Sequence, residues 1–179
     1  MLKYKKFIFR LSLVGYLCLL SACGFHLRGA IKLSSELSPV YVQDNTFFDL
    51  ARDLKDLLRS DNITVVKQAD NAKMRLVLLN ETKGERVLSV DASGRAHEYS
   101  LNYKVRVQFK GRYIKPVNDS ITLTRTLLFD PDAVLAATNE QATLYKEMRH
   151  EAAVRILLKL QSLSEDATAN ATVPVKTKK

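Results

Sequence analysis

Cys23 is the residue with the clearest chemistry in this chain, because the segment before it has the composition of a cleavable leader. Four basic residues lie near the start of the chain: Lys3, Lys5, Lys6 and Arg10. Residues 11–22 carry no charge and end in the small pair Ser21 and Ala22. That run is too short to cross roughly 30 Å of hydrocarbon as a helix, but it suits the apolar part of a signal peptide. The pattern predicts cleavage before Cys23 and acylation of its sulfur and amino group.

An ordinary signal peptide with an incidental cysteine is the alternative, but no A-x-A cleavage site follows the apolar run. Removing residues 1–22 leaves enough chain for one domain with a real core. Cys18 leaves with the leader, and Cys23 takes the lipid. The mature domain therefore has no thiol for a disulfide, a metal site or a nucleophile.

Catalytic residues are scarce. The three histidines, His26, His97 and His150, are far apart in the sequence, and His150-Glu151 lacks the second histidine of a zinc protease motif. The chain contains neither a G-x-S-x-G elbow nor a glycine-rich phosphate loop. The sequence therefore predicts a protein that is not an enzyme, with no catalytic residues, no metal site and no cofactor besides the lipid on Cys23.

The net charge falls when the leader is removed. Without its four basic residues, 24 basic residues face 19 acidic ones, and the formal charge drops from +9 to +5. Three of the remaining positive charges lie at the extreme C-terminus: Lys176, Lys178 and Lys179. The folded part is only mildly basic, which argues against nucleic acid as a partner.

A group of basic residues is the remaining polar signal. Lys83, Arg86 and Arg95 surround the predicted turn between two long strands. They form either a solvated rim or a patch that contacts the phosphates of an anionic lipid through charge-assisted hydrogen bonds. The spacing leaves both readings open.

The elements that position these residues follow from hydrophobic periodicity. Strands are predicted over residues 39–43, 74–90, 99–109 and 121–127, with a possible further edge at 63–66 and a bulge near Gly84. The middle strand alternates apolar and polar residues, so one face should be buried and the other wet. Turns are predicted at residues 91–94 and 115–119.

Two helices complete the pattern. The first has an apolar face from Phe47 to Leu58, with a capping box at Thr46 and Asp49 and a stop at Asn62. The second should open with a capping box at Thr138 and Gln141. Residues 164–179 are predicted to be a disordered tail.

The order of elements predicts an α+β two-layer sandwich, in which two helices pack on one face of a mostly antiparallel four-stranded sheet. Its domain would span residues 23–163, after the signal peptide at 1–22. The opposite sheet face, with its basic residues and threonines, should be solvated or meet a polar partner.

Residues 23–29, C-G-F-H-L-R-G, resemble the mature N-terminus of the lipopolysaccharide (LPS) assembly lipoprotein LptE family, which has the pattern C-G-[FW]-x-L-R. Weaker echoes are Glu98-Tyr99 and the segments at 139–141 and 146–148. The resemblance extends over residues 23–163 and agrees with the order of strands and helices.

That resemblance implies a lipid-anchored protein of the outer membrane that partners the large β-barrel LptD. It would fill the lumen of LptD, help it to assemble and take part in delivering LPS to the outer leaflet. Gly24, in place of Asp after the lipidated cysteine, is compatible with sorting to the outer membrane. The expected position is the periplasmic side or the barrel lumen. One alternative is a periplasm-facing, lipid-binding lipoprotein without a barrel partner. The other is a lipoprotein hydrolase, which the scarcity of catalytic residues argues against.

We predict that Cys23→Ala leaves an unprocessed or mislocalised precursor. Each buried CH₂ of an acyl chain contributes about 0.8 kcal/mol to membrane attachment, so loss of the lipid removes the anchor. Intact-mass analysis of the mature N-terminus checks this, with Cys18→Ala as the control that should be processed normally. An unmodified Cys23 in the wild-type protein would overturn the prediction.

Overall fold

A mixed sheet covered on one face by helices forms the domain in the computed structural model, which describes residues 37–43, 47–112 and 114–171. Within these residues the sheet has four strands: β1 (Val40–Gln43), β2 (Met74–Val90), β3 (Ala96–Gly111) and β4 (Val117–Leu128). The helices are α1 (Phe48–Ser60) and α2 (Val134–Ala171), with short 3-10 turns at Ala69–Asn71 and Pro131–Ala133. The strand order is β1-β2-β3-β4, and β1 alone runs parallel to its neighbour. The predicted α+β sandwich is confirmed.

Strand β3 supplies the centre of the core. Its alternating apolar residues are all fully buried: Leu101, Tyr103, Val105, Val107 and Phe109. Helix α1 places Leu50, Leu54 and Leu58 in the same cluster, and α2 adds Met148, Ile156 and Leu160. Full burial of such side chains stabilises the fold by about 1.5–3 kcal/mol each, so this cluster holds the helices to the sheet.

The hairpin between β2 and β3 closes as predicted. The Gly94 amide donates to the Asp91 carbonyl oxygen at 3.0 Å, and the Asp91 amide donates to the Arg95 carbonyl oxygen at 2.8 Å. Gly94 has φ +81°, a left-handed conformation that glycine adopts without a steric penalty. The predicted turn at residues 91–94 is confirmed.

The predicted bulge lies at the wrong place. Gly84 pairs regularly with Asn102, whereas the register of β2 shifts at Leu79 and again at Leu88. An extra residue in a strand reverses which later side chains face each side of the sheet. The bulge at Leu79 therefore turns Glu81, Lys83 and Glu85 toward the helices, where the polar half of β2 finds partners.

The connection between β3 and β4 is shorter than predicted. Residues 115–119 were expected to form a turn, but β4 begins at Val117, which pairs with Phe109. The Asn118 side chain lies in the sheet and accepts a hydrogen bond from Gln108 Nε2 at 2.8 Å. A side-chain bond across the strands thus accommodates a polar residue that the sequence pattern assigned to a turn.

Helix α1 stops where the sequence predicted. Asn62 has φ +61°, and its amide donates to the Arg59 carbonyl oxygen, while the Ile63 amide donates to that of Leu58. This pair of bonds forms a Schellman cap, with Ile63 and Leu58 both buried beneath it. Thr46, half of the predicted capping box, lies outside the described residues. The possible edge at 63–66 is a single parallel bridge between Val65 and Val40.

Helix α2 begins earlier than its predicted capping box at Thr138. The Asp130 carboxylate accepts a hydrogen bond from the Asp132 amide, and Pro131 opens the 3-10 turn that leads into the helix. Proline suits the first turn because its missing N–H needs no partner there. Thr138 instead lies inside the helix and donates to the Val134 carbonyl oxygen at 2.9 Å.

The end of α2 also differs from the sequence prediction. The helix continues to Ala171, whereas the disordered tail was predicted to start at residue 164. Ser164 is 2% exposed, four residues after buried Leu160, so the buried face of the helix extends by one more turn. The helix therefore extends past the predicted start of the tail, and residues 172–179 lie outside the described part.

We predict that Val105→Asp destabilises the domain by about 3–5 kcal/mol, because it buries an unpaired charge in the core. Val105 is fully buried, whereas the neighbouring Lys104 is exposed. Lys104→Asp introduces the same residue on the wet face and should change stability by about 0.5 kcal/mol or less. Urea denaturation of both variants checks this ranking, and equal losses would contradict the register of β3.

Candidate functional site

The structure does not bring the three predicted basic side chains to one face. Lys83 lies on the helix face, with its Nζ 5.6 Å from the centroid of the Tyr145 ring. Arg86 pairs with Ser100 on the opposite face, because it lies three positions after Lys83 in a regular stretch of strand. Arg95 lies at the turn. The proposed patch would therefore have to involve both faces of the hairpin.

Arg95 belongs to a network that closes the hairpin turn. The Asp91 carboxylate accepts hydrogen bonds from the Ser93 hydroxyl at 2.6 Å, from the backbone amides of Ser93 and Arg95, and from Arg95 Nε at 3.1 Å. The Ser93 hydroxyl and the Arg95 amide are the largest causes that hold the pKa of Asp91 well below its usual range. The positive charge of Arg95 thus already has a local partner.

Lys83 belongs to a contact zone between the hairpin and α2. The Tyr145 hydroxyl donates to the Gly84 carbonyl oxygen at 2.9 Å, and Gln141 donates to the Glu85 carboxylate. The ammonium of Lys83 over the Tyr145 ring adds a cation–π contact. These polar contacts hold α2 against the part of β2 that carries few apolar residues. Sequence periodicity did not predict these contacts, because the bulge at Leu79 reverses the face of the sheet on which Lys83 and Glu85 lie.

A partly buried ion pair joins the two helices. Arg149 Nε lies 2.8 Å from Asp53 Oδ2, and its side chain is 11% exposed. Burial lowers the pKa of Arg149, but the hydrogen bond and charge of Asp53 outweigh it and raise the pKa overall. Nearby, burial and a hydrogen bond to Glu81 raise the pKa of the Tyr103 phenol, so the phenol stays protonated.

The sheet face opposite the helices, called the outer face below, is polar and electropositive. Its basic residues on β2 and β3 are Arg75, Arg86, Lys104, Arg106 and Lys110. Its polar residues on β4 are Asn118, Ser120, Thr122, Thr124 and Thr126, and Leu128 lies at the end of the same row. Among the strand residues, the carboxylate on this face is Glu98, which accepts from the Ser89 hydroxyl at the distal end. This distribution favours an anionic or polar partner and confirms the predicted wet face.

In the part of the chain that the structure describes, no group of three His, Cys, Asp or Glu side chains could hold a metal ion. No helix in the same residues combines the length and apolar character needed to cross a membrane. Cys23 and His26 lie outside the described residues.

The fold is shared with solved bacterial lipoproteins. Rare lipoprotein B from Shewanella oneidensis is 29% identical, with a TM-score of 0.64, over 71% of this chain and 95% of that chain. Lipoprotein B from Nitrosomonas europaea is 26% identical, with a TM-score of 0.68, over 82% of this chain and 96% of that chain. The fold and its polar outer face thus define the class as the α+β domain of a bacterial lipoprotein.

The sequence profile of the family described as "LptE: Lipopolysaccharide-assembly" matches residues 37–160, which is more than half of the chain. The LPS-assembly lipoprotein LptE of Pectobacterium atrosepticum is 29% identical over 80% of this chain and 79% of its own length. That of Yersinia pestis is 29% identical over 83% of this chain and 73% of its own length. The chain belongs to the LptE family, and the predicted resemblance is confirmed.

We predict that Asp53→Asn lowers the free energy of unfolding by about 1–3 kcal/mol, because it leaves the Arg149 charge poorly partnered. Asp49, at 3.4 Å from Arg149, compensates only in part. Asp56→Asn is the matched control on the same helix, since its partner Arg59 is 61% exposed. That control should cost about 0.5 kcal/mol or less in urea denaturation. Equal costs would show that the Asp53 pair adds nothing beyond a surface contact.

Proposed function

We propose that this protein is an outer-membrane lipoprotein that partners the LPS-transport β-barrel LptD, aids its assembly and takes part in delivering LPS to the outer leaflet. The observation that carries the proposal is membership of the LptE family across residues 37–160. In this role the protein is a structural partner and not an enzyme.

The shape and charge of the sheet support a place inside a barrel. The lumen of outer-membrane barrels is polar, which suits the basic and hydroxyl side chains of the outer face. The 17 residues of β2, at about 3.3 Å each, give a strand of roughly 55 Å. That length exceeds the apolar band of a barrel, which is about 25 Å tall. The domain is therefore long enough to fill the lumen and extend beyond it.

The lipid anchor belongs to the same proposal. Acylated Cys23 would hold the chain to the periplasmic side of the outer membrane, and residues 24–36 would connect the anchor to the domain. Several acyl chains on one residue make such attachment stable, so the domain would stay beside the barrel.

We further propose that Lys83, Arg86 and Arg95 contact LPS phosphates. All three side chains are exposed, and β1 pairs with only the first residues of β2, so no described strand covers the β2 edge beside Lys83 and Arg86. Because Lys83 and Arg86 lie on opposite faces, an LPS headgroup would have to reach around this edge and meet them with separate phosphates. The Asp91 network reduces the free charge of Arg95, so Arg86 should contribute most.

Copurification from detergent-solubilised membranes tests the partnership. The tagged full-length chain should retain one large β-barrel in a stoichiometric amount, because a lumen-filling interface is extensive. Recovery of LPS without a barrel would favour the periplasm-facing, lipid-binding alternative. Recovery of neither would contradict both functions.

A paired substitution tests which face meets the barrel. We predict that Thr124→Trp, on the outer face, lowers barrel recovery about tenfold, because a large side chain disrupts a closely packed contact. Glu147→Trp introduces the same residue at an exposed position of α2 and should leave recovery within about twofold. Equal recovery by both variants, with unchanged circular dichroism, would remove the outer face from the interface.

A further inference from the structure

A charged pocket lies at the end of the hairpin opposite the turn. It has a volume of about 380 Å³ and is lined by Asp70, Ala72 and Lys73 before β2, by Arg75 and by residues 110–112 at the end of β3. Its cationic side chains are Lys73, Arg75, Lys110 and Arg112. The pocket is remote in sequence register from Arg86 and Arg95, so it is separate from the residues considered above for LPS.

Two of these cations face each other directly. Arg75 and Lys110 are paired in the β2–β3 register, on the outer face and next to the buried pair of Leu76 and Phe109. Residues opposite one another in an antiparallel pair have Cβ atoms about 5 Å apart, and like charges there are destabilising. The arrangement costs stability in the absence of an anion.

The backbone brings further positive charge to the same place. The Arg112 amide donates to the Lys73 carbonyl oxygen at 3.0 Å, which ties the end of β3 to the start of β2. A Cβ atom at position 111 would lie 2.6 Å from Ile114 Cγ1. Because Gly111 has no Cβ, the Ile114 side chain can pack directly against the backbone next to Arg112. The rim of the pocket is thus fixed by backbone packing.

Among the described residues that line the pocket, the carboxylate is Asp70, which lies 3.5 Å from Arg75 with 97% of its side chain exposed. An ion pair so long and so exposed contributes little. Within the part of the chain that the structure describes, the charges of Arg75 and Lys110 therefore remain largely uncompensated.

The rest of the outer face avoids this arrangement. Lys104 lies opposite Thr82, Arg106 lies opposite Asn80, and Arg86 lies opposite Ser100. Neutral polar partners relieve the charge at each of those positions. Among the cross-strand pairs that the structure describes on this face, two like charges lie opposite each other only at the pocket. Such an unfavourable pair is expected where a ligand supplies the negative charge that the protein lacks.

We propose that this pocket is a phosphate-binding site, in which Arg75, Lys110 and Arg112 hold the phosphate groups of a phosphate monoester or diphosphate. A guanidinium presents paired donors that match two phosphate oxygens, and a lysine adds a point charge. The pocket volume is sufficient for more than one phosphate group. The ligand is either the headgroup of a phosphorylated lipid or a free anion, and the site does not depend on a barrel partner.

Calorimetric titration of the full-length chain in zwitterionic micelles with inorganic pyrophosphate tests the site. Arg75→Gln with Lys110→Gln should raise the Kd about tenfold or more, because it removes the facing charges. Lys104→Gln with Arg106→Gln removes the same charge from the same face and should change the Kd by about twofold or less. Equal losses in the two double variants, or no binding by the wild type, would overturn the proposal.

Thermal melting without pyrophosphate separates loss of binding from loss of fold. The Arg75→Gln and Lys110→Gln variant should melt at the wild-type temperature or above it, because the substitution relieves repulsion. A lower melting temperature would contradict the claim that the two charges oppose each other.

A second titration identifies the source of the phosphate. A short-chain phosphatidic acid mixed into the micelles carries a phosphate monoester on a lipid. Binding that the double variant loses and that pyrophosphate displaces would assign the site to lipid headgroups. Binding of pyrophosphate alone would assign it to free anions, and failure of both probes would eliminate the site.

Discussion

The bulge at Leu79 is the constraint on which the two halves of the domain depend. Before it, Leu76 and Leu78 face the helices and build the core. After it, the faces of the strand are reversed, so Glu81 lies on the helix face and accepts from Tyr103, while Glu85 accepts from Gln141 of α2. One extra residue thus converts a strand that buries apolar side chains into one that binds a helix through polar contacts.

This change of side also separates the charges of the domain. The carboxylates of Glu81 and Glu85 lie on the helix face, where Tyr103 and Gln141 donate to them. On the outer face, Arg86, Lys104 and Arg106 lie opposite neutral polar residues, whereas Arg75 and Lys110 lie opposite each other. The two faces consequently differ in electrostatic character: the helix face is internally satisfied, whereas the outer face retains positive charge that an external group can neutralise.

The sequence predicted the features that depend on local pattern and short-range chemistry. The alternation of β3, the turn at Asp91 and Gly94, and the stop at Asn62 each follow from a few neighbouring residues. The bulge at Leu79 could not be predicted, because its position depends on pairing with β3. Since the bulge lies at Leu79 and not near Gly84, Lys83 and Arg86 lie on opposite faces of the sheet. The start of α2 depends on Asp130 and Pro131, which compete with an equally good capping pattern at Thr138. The charged pocket could not be predicted from the sequence, because Arg75 and Lys110 are distant in sequence and come together only through the register of β2 and β3.

Strand β4 ends the sheet, so along one edge its 12 residues have no strand neighbour within the described part of the chain. Such an edge is a template on which another extended chain can add, and threonine-rich strands favour that pairing. A domain of this kind would be prone to self-association through this edge for as long as the edge stays uncovered. Its solubility and lifetime in the cell would then depend on how soon another chain pairs with that edge.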